Sequence, residues 1–296
     1  MDYSMFKDVL LEALRERFGE DSDISYNRVL KNNGIVLDGI CVKHSDSKIS
    51  PTVYVNDYYQ DFLGGRDLDD ICTTVEKLIT ENEITDEIDV DGLIDFERIK
   101  DNIVFKLINF AQNDELLKTV PHEKYLDLAV VYYIIVTNDH FEGASILINN
   151  NHLKLWNKSA QEIDKIAKAN SPVVLKAELK SMADVLSELL LREGECDFDL
   201  SSECNMYVLS NSEKMFGAAA ILYENIISDF SEKLGCDLYI LPSSVHEVII
   251  VPSDSVAFSD KLDEMICEVN ETQLPKSEVL SDHFYYYSKA DNCITF

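Results

Sequence analysis

The chain has 296 residues, of which 55 are acidic and 26 basic, giving a formal net charge of -29. Hydrophobic residues make up 46 % and aromatics 9 %, a composition that supports a large folded core and excludes a disordered acidic tail. The acidity is spread along the whole length, so its field repels phosphate backbones and anionic lipid and attracts a basic protein partner. That argues against direct nucleic-acid binding and against a membrane surface.

In chain order, Phe6, Val9, Leu10, Ala13, Leu14 and Phe18 recur at helical spacing before Gly19, which predicts an amphipathic first helix. Two β-rich segments then flank Asn32-Asn33-Gly34, residue types that tolerate the positive φ of a tight turn, so a hairpin is expected. An extended Thr52–Val55 follows Pro51, a short helix ends at Gly64-Gly65, and Leu68, Ile71, Val75, Leu78 and Ile79 mark a helix capped by Asp67. Residues 81–101 carry nine acids, Asp89 and Asp91 among them, and read as an acidic connector. A calcium loop is excluded there because the required glycine and closing glutamate are out of register.

Strands resume at 103–110 and 125–136, the latter apolar on both faces and therefore central in its sheet. Its run LAVVYYIIV is nine residues long, against the roughly 20 that a membrane span requires. A helical stripe through Ile163, Ile166 and Ala167 is entered at Ser159 and closed by Pro172. The last third reads as a strand at 205–211, a helix from 218 to 235, paired strands around Pro242, a helix at 259–271 and short strands near 284–287 and 293–296. Strand pairs flanked by helices predict an α+β fold with mixed or mainly antiparallel sheets, in two subdomains, 1–101 and 102–296.

Chemistry concentrates in PSSVHEVIIVPSD, residues 242–254. His246-Glu247 matches the first half of HExxH, but position 250 is Ile, so no zinc site is expected. Ser243, Ser244, His246 and Glu247, with Asn211 from a neighbouring strand, are the candidate set for a small hydrolase. No GxSxG elbow accompanies them, however, and a hairpin edge explains the same residues. Tyr285, Tyr286 and Tyr287, with Asp89 and Asp91, are the candidate interface residues, since tyrosine combines contact area with a polar tip. Nucleotide-binding glycine motifs are absent. Cys41, Cys72, Cys196, Cys204, Cys236, Cys267 and Cys293 contain no CxxC pair and no leader precedes them. They read as free thiols of a cytoplasmic protein that needs neither metal nor cofactor.

KNNG with LDGI, then VYVNDYYQDFLGGRDLDDI, VTNDHFEGASILINNNHLKLW, YVLSN, FGAAAILY, LYILPSSVHEVIIVP and LSDHFYYY together resemble a bacterial domain-of-unknown-function family, number 5688. The resemblance implies a cytoplasmic protein of anaerobic gram-positive bacteria and their mobile elements, and it implies no activity or catalytic residue. With the acidity, the expectation is a non-enzymatic interaction or regulatory protein that engages a basic partner, in an anti-restriction or anti-defence role. The alternative is the small hydrolase.

Overall fold

The structure, a computed structural model, describes residues 1–19, 22–44, 52–81, 92, 95–136, 145–193, 205–255 and 261–296. Asp89 and Asp91, and with them most of the acidic connector, lie outside the described residues. The fold is α+β: helices flank three sheets in which every described strand pair is antiparallel. Residues Met1–Lys31 and Ile35–Gly92 form one compact unit, and Asn32–Gly34 together with Leu93–Phe296 form a second. No helix among the described residues is long and apolar enough to cross a membrane.

In the first unit, helix α1 (Tyr3–Phe18) starts at Asp2, whose carboxylate accepts the Met5 N–H at 2.8 Å, a side-chain N-cap. Its apolar stripe buries Phe6, Leu10 and Leu14 against Ile24, Ile40 and Val42 of the sheet formed by β1 (Ser22–Leu30), β2 (Val36–His44) and β3 (Thr52–Tyr54). Helix α2 (Asn56–Leu63) leads to α3 (Leu68–Glu81), which adds Ile71, Cys72, Val75 and Ile79 to the same core. Arg17 ties α1 to α3 through Asp69, Glu76 and Thr73. Gly39 stands in β2 because a Cβ there would lie 2.3 Å from the Thr52 methyl carbon on the neighbouring strand.

The second unit holds two sheets. In one, β4 (Ile103–Asn109) runs along one edge of β6 (Leu128–Ile135), while β5 (His122–Tyr125) and β7 (Ser145–Leu147) lie end to end along the other. Residues 128–134 of β6 are all buried, as a strand covered on both faces requires. The open edge of β4 is closed by the Ala160–Val174 helix. Ser171 Oγ accepts the Phe105 N–H at 3.1 Å, and the Asn170 amide donates to the Ile103 carbonyl at 3.0 Å. Those side chains satisfy backbone groups that a buried sheet edge would otherwise strand.

The other sheet has six strands in the order β13-β12-β10-β11-β9-β8, where β8 is Ala177–Ser181, β9 Tyr207–Asn211, β10 Leu238–Pro242, β11 Val248–Pro252, β12 Tyr285–Ser288 and β13 Cys293–Thr295. Residues of both sheets, among them Phe105, Tyr132, Leu209, Ile240, Ile250 and Tyr285, share one hydrophobic core.

Three expected boundaries move, and one strand was not expected. The strand read as 125–136 is broken by a turn at Leu126-Asp127, with Leu126 at φ 54, and β5 pairs back on β6. Pro172 lies inside its helix, which continues to Val174 and closes on a Leu175 N–H to Ser171 carbonyl bond. The helix read as 218–235 is instead a 3-10 segment, Gly217–Leu222, and a helix at Ile226–Leu234, separated at Asn225 with φ 65. Strand β8 has no counterpart in the sequence reading: Ala-Glu-Leu-Lys-Ser has weak strand preference and is extended through its pairing with β9.

The Asn150–Trp156 helix carries a pH-sensitive cap. Asn149 accepts the His152 N–H at 3.1 Å, and His152 Nδ1 accepts the Asn149 N–H at 3.2 Å, a reciprocal capping box. Burial lowers the His152 pKa from 6.5, and only the neutral ring can accept. The folded pKa being depressed, the cap contributes fully above pH 6.5 and is lost as pH falls below it. His152→Gln keeps an acceptor that does not titrate, so its melting temperature should fall less than that of the wild type between pH 7 and pH 5. Identical pH profiles by thermal melts would remove this role.

Candidate functional site

β9 ends at Asn211, and the chain then turns sharply at residues 212–216 before entering the 3-10 segment at Gly217. Asn211 is fully buried and organises that turn: its Oδ1 accepts the N–H groups of Glu213 at 3.1 Å and Met215 at 3.3 Å, and its Nδ2 donates to the Met215 carbonyl at 2.8 Å. Local side-chain bonding of this kind is why asparagine ends strands. Lys214 and Phe216 both sit at positive φ, 52° and 56°. A phenylalanine in the left-handed region costs on the order of 1–3 kcal/mol and persists only where its surroundings impose it.

What imposes it is the connection between β10 and β11, residues 243–247. His246 Nδ1 accepts the Phe216 N–H at 3.2 Å, and the imidazole stacks on the Phe216 ring with centroids 5.5 Å apart and planes 14° from parallel. The Ser210 hydroxyl donates to the His246 carbonyl at 2.8 Å. Within the connection, Ser244 Oγ accepts the His246 N–H at 3.0 Å, and the Ser244 N–H donates to the Glu247 carbonyl at 3.1 Å. The Val245 N–H reaches the Glu278 carbonyl at 2.9 Å. Phe216 also receives the Lys106 ammonium, 3.9 Å from the ring centroid, and packs edge-to-face with the buried Tyr133 ring, 5.2 Å between centroids.

Gly217 allows the two segments to approach. A Cβ there would lie 2.3 Å from Ser210 Oγ, 2.6 Å from the His246 carbonyl oxygen and 2.7 Å from the Asn211 nitrogen. The residues after it, Ala218, Ala219 and Ala220, are buried as well.

Three of the five sequence candidates, Ser244, His246 and Glu247, therefore meet through backbone bonds, and Asn211 braces the facing turn, but they do not meet as a nucleophile and base. Ser244 is buried and its hydroxyl serves the His246 backbone rather than the imidazole. The acceptor role of Nδ1 puts the ring proton on Nε2, so the neutral ring offers a donor where a general base would need a lone pair. Ser243 and Glu247 are half-buried, and among the described residues neither side chain hydrogen-bonds to the ring. The sequence reading missed Phe216, Lys106 and Ser210. Only the glycine after Phe216 hinted at a constrained backbone.

The tyrosine strip also resolves differently. Tyr285 and Tyr287 are buried, and their hydroxyls donate to Asp127 and Asn292. Tyr286 is half-buried and donates to Asp237 at 2.6 Å, which raises its pKa to about 12. Alternation along β12 thus sends two of the three rings inward. Cys41, Cys72, Cys236, Cys267 and Cys293 are free thiols, and Cys196 and Cys204 lie outside the described residues. Among the described residues, no group of three or more His, Cys, Asp or Glu side chains is arranged to hold a metal ion.

One family matches, over residues 3–289, and it is described as a family of unknown function (DUF5688). No curated protein and no solved structure matches the chain.

Two substitutions test the brace. His246→Ala should lower the unfolding free energy by about 1–2 kcal/mol, since the Phe216 N–H loses its acceptor. His246→Asn, whose Oδ1 can stand where Nδ1 does, should recover most of it in denaturant titrations. Gly217→Ala should cost about 1–3 kcal/mol by overpacking against backbone atoms, and a wild-type midpoint for it would disprove the close approach.

Proposed function

The chain belongs to this family of unknown function, and from that premise we propose that it is a non-enzymatic, acidic interaction protein that engages a basic protein partner. The observation that carries this reading is the fate of the positive charges. Acids outnumber bases 55 to 26, and many of the described basic side chains are already held by acids of the same chain. Arg17 is held by Asp69 and Glu76, Lys118 by Asp114 and Glu115, Lys168 by Glu123 and Asp164, and Lys180 by Glu178 and Glu188. Each such base cancels one acid charge, so the net surplus of carboxylates is left as it was. That surplus steers cationic surfaces from a distance and suppresses encounters with nucleic acid and anionic lipid.

The 243–247 connection supports the same reading, because the His246 carbonyl and Nδ1 are engaged in bracing the Ser210–Phe216 segment and the Ser244 hydroxyl in holding the His246 backbone. The partner this chemistry suits is a protein with a basic groove, such as a nucleic-acid-handling enzyme in the cytoplasm. Occupying a groove built for phosphates would make the role regulatory or anti-restrictive.

The test is binding of the full chain to a panel of purified basic nucleic-acid-handling enzymes, each titrated with salt. Long-range attraction is screened over about 8 Å at physiological ionic strength, so the dissociation constant for a true partner should rise at least about tenfold between 50 and 300 mM salt. Binding that ignores salt, or no binding across the panel at low salt, would overturn the proposal.

A further inference from the structure

Asn33-Gly34 is the dipeptide in which an asparagine carboxamide is most open to attack by the following backbone nitrogen, because glycine places no side chain in the way. In this fold that carboxamide is buried, with Asn33 at 3 % exposure. Its Nδ2 donates to the carbonyls of Lys276 at 2.8 Å and Val279 at 2.7 Å, and its Oδ1 accepts from Asn113 Nδ2 at 2.9 Å. The Asn33 N–H donates in return to Asn113 Oδ1 at 2.8 Å, while Asn32 Nδ2 reaches the Ser277 carbonyl at 2.7 Å. The backbone is fixed at φ 57, ψ 37, followed by Gly34 at φ 67. Both amide hydrogens and the amide oxygen of Asn33 are thus engaged, all within the second compact unit.

We propose that Asn33 is a conformationally gated deamidation site, protected while its amide is seated and converted once the seat opens. In the open chain the Gly34 nitrogen attacks Asn33 Cγ, the new C–N bond closes a succinimide, and the carboxamide nitrogen leaves as ammonia. Water then opens the ring at either carbonyl to give aspartate or isoaspartate, with no redox partner required. The change is one-way because the ammonia is lost, and the converted residue does not re-seat. A carboxylate at position 33 would face the Lys276 and Val279 carbonyl oxygens with no hydrogen to donate, and buried acceptor against acceptor cannot be satisfied. The isoaspartate form also lengthens the backbone at a turn with fixed dihedrals. Opening of the seat is thereby written into the chain as a covalent mark.

The experiment uses the wild-type full chain at pH 7.4 and 37 °C, folded and in denaturing urea, with the mass of the peptide containing Asn32–Gly34 followed over days. Conversion should be at least about tenfold slower in the folded protein, and Asn113→Ala, which removes both of Asn113's bonds to Asn33, should move the folded rate toward the denatured one. Equal rates in folded and denatured wild type would overturn the gating. Recovered converted protein, refolded alongside unconverted protein, should show faster hydrogen exchange at residues 276–279. Equal protection there would overturn the claim that the converted residue does not re-seat.

Discussion

A backbone amide or carbonyl taken out of water without a partner costs on the order of 1–3 kcal/mol, and the second unit takes many out of water in segments that are neither helix nor strand. Its buried asparagines and serines supply what a ladder of secondary structure would otherwise supply. Asn109, Asn113, Asn211 and Asn270 each bond to main-chain atoms of a turn or connection, Ser210, Ser231, Ser244 and Ser281 do the same, and Ser171 serves the edge of β4. His246 belongs to this group by role: its Nδ1 stands where a carbonyl would stand for the Phe216 N–H. Buried connections, and with them the crowding at Gly217 and the left-handed Phe216, exist because these side chains make them affordable in free energy.

This explains which parts of the fold were legible in the sequence. Elements decided by local pattern could be read directly: the stripe of α1, the hairpin about Asn32–Gly34, the doubly buried β6 and the Asp67 start of α3. Elements decided by tertiary partners could not. Leu126 is no turn former, and it bends because the Tyr125↔Leu128 pair demands a two-residue connection. Strand β8 is extended because β9 offers it a ladder, and the break at Asn225 separates two helical segments that share one apolar pattern.

The 243–247 connection was legible as the link between two paired strands, and its hydrogen bonding was not. A serine, a histidine and a glutamate within five residues look the same whether they face a substrate or hold a turn, and the deciding partners, Ser210, Phe216 and Glu278, are far away in the chain. The direction of one hydrogen bond, from the Phe216 N–H into Nδ1, fixes how the ring is used in this turn, and no spacing rule encodes it. The same holds for the tyrosine triplet, where the period-two alternation of β12 was readable but the identity of the buried face was not.

The bonds that complete the second unit are also among the longest in sequence. Asn33 to Val279 spans 246 residues, Asn109 to Leu280 spans 171, and Tyr285 to Asp127 spans 158. Residues 276–287 thus close a structure whose other partners are synthesised long before them. Such closure carries a loop entropy that grows slowly with length, and non-local contacts of this kind are those that slow folding. During synthesis the turns that await these residues must remain hydrated, and the two sheets near Asp127 and Asn109 can dry into one core only after the C-terminal segment has left the ribosome.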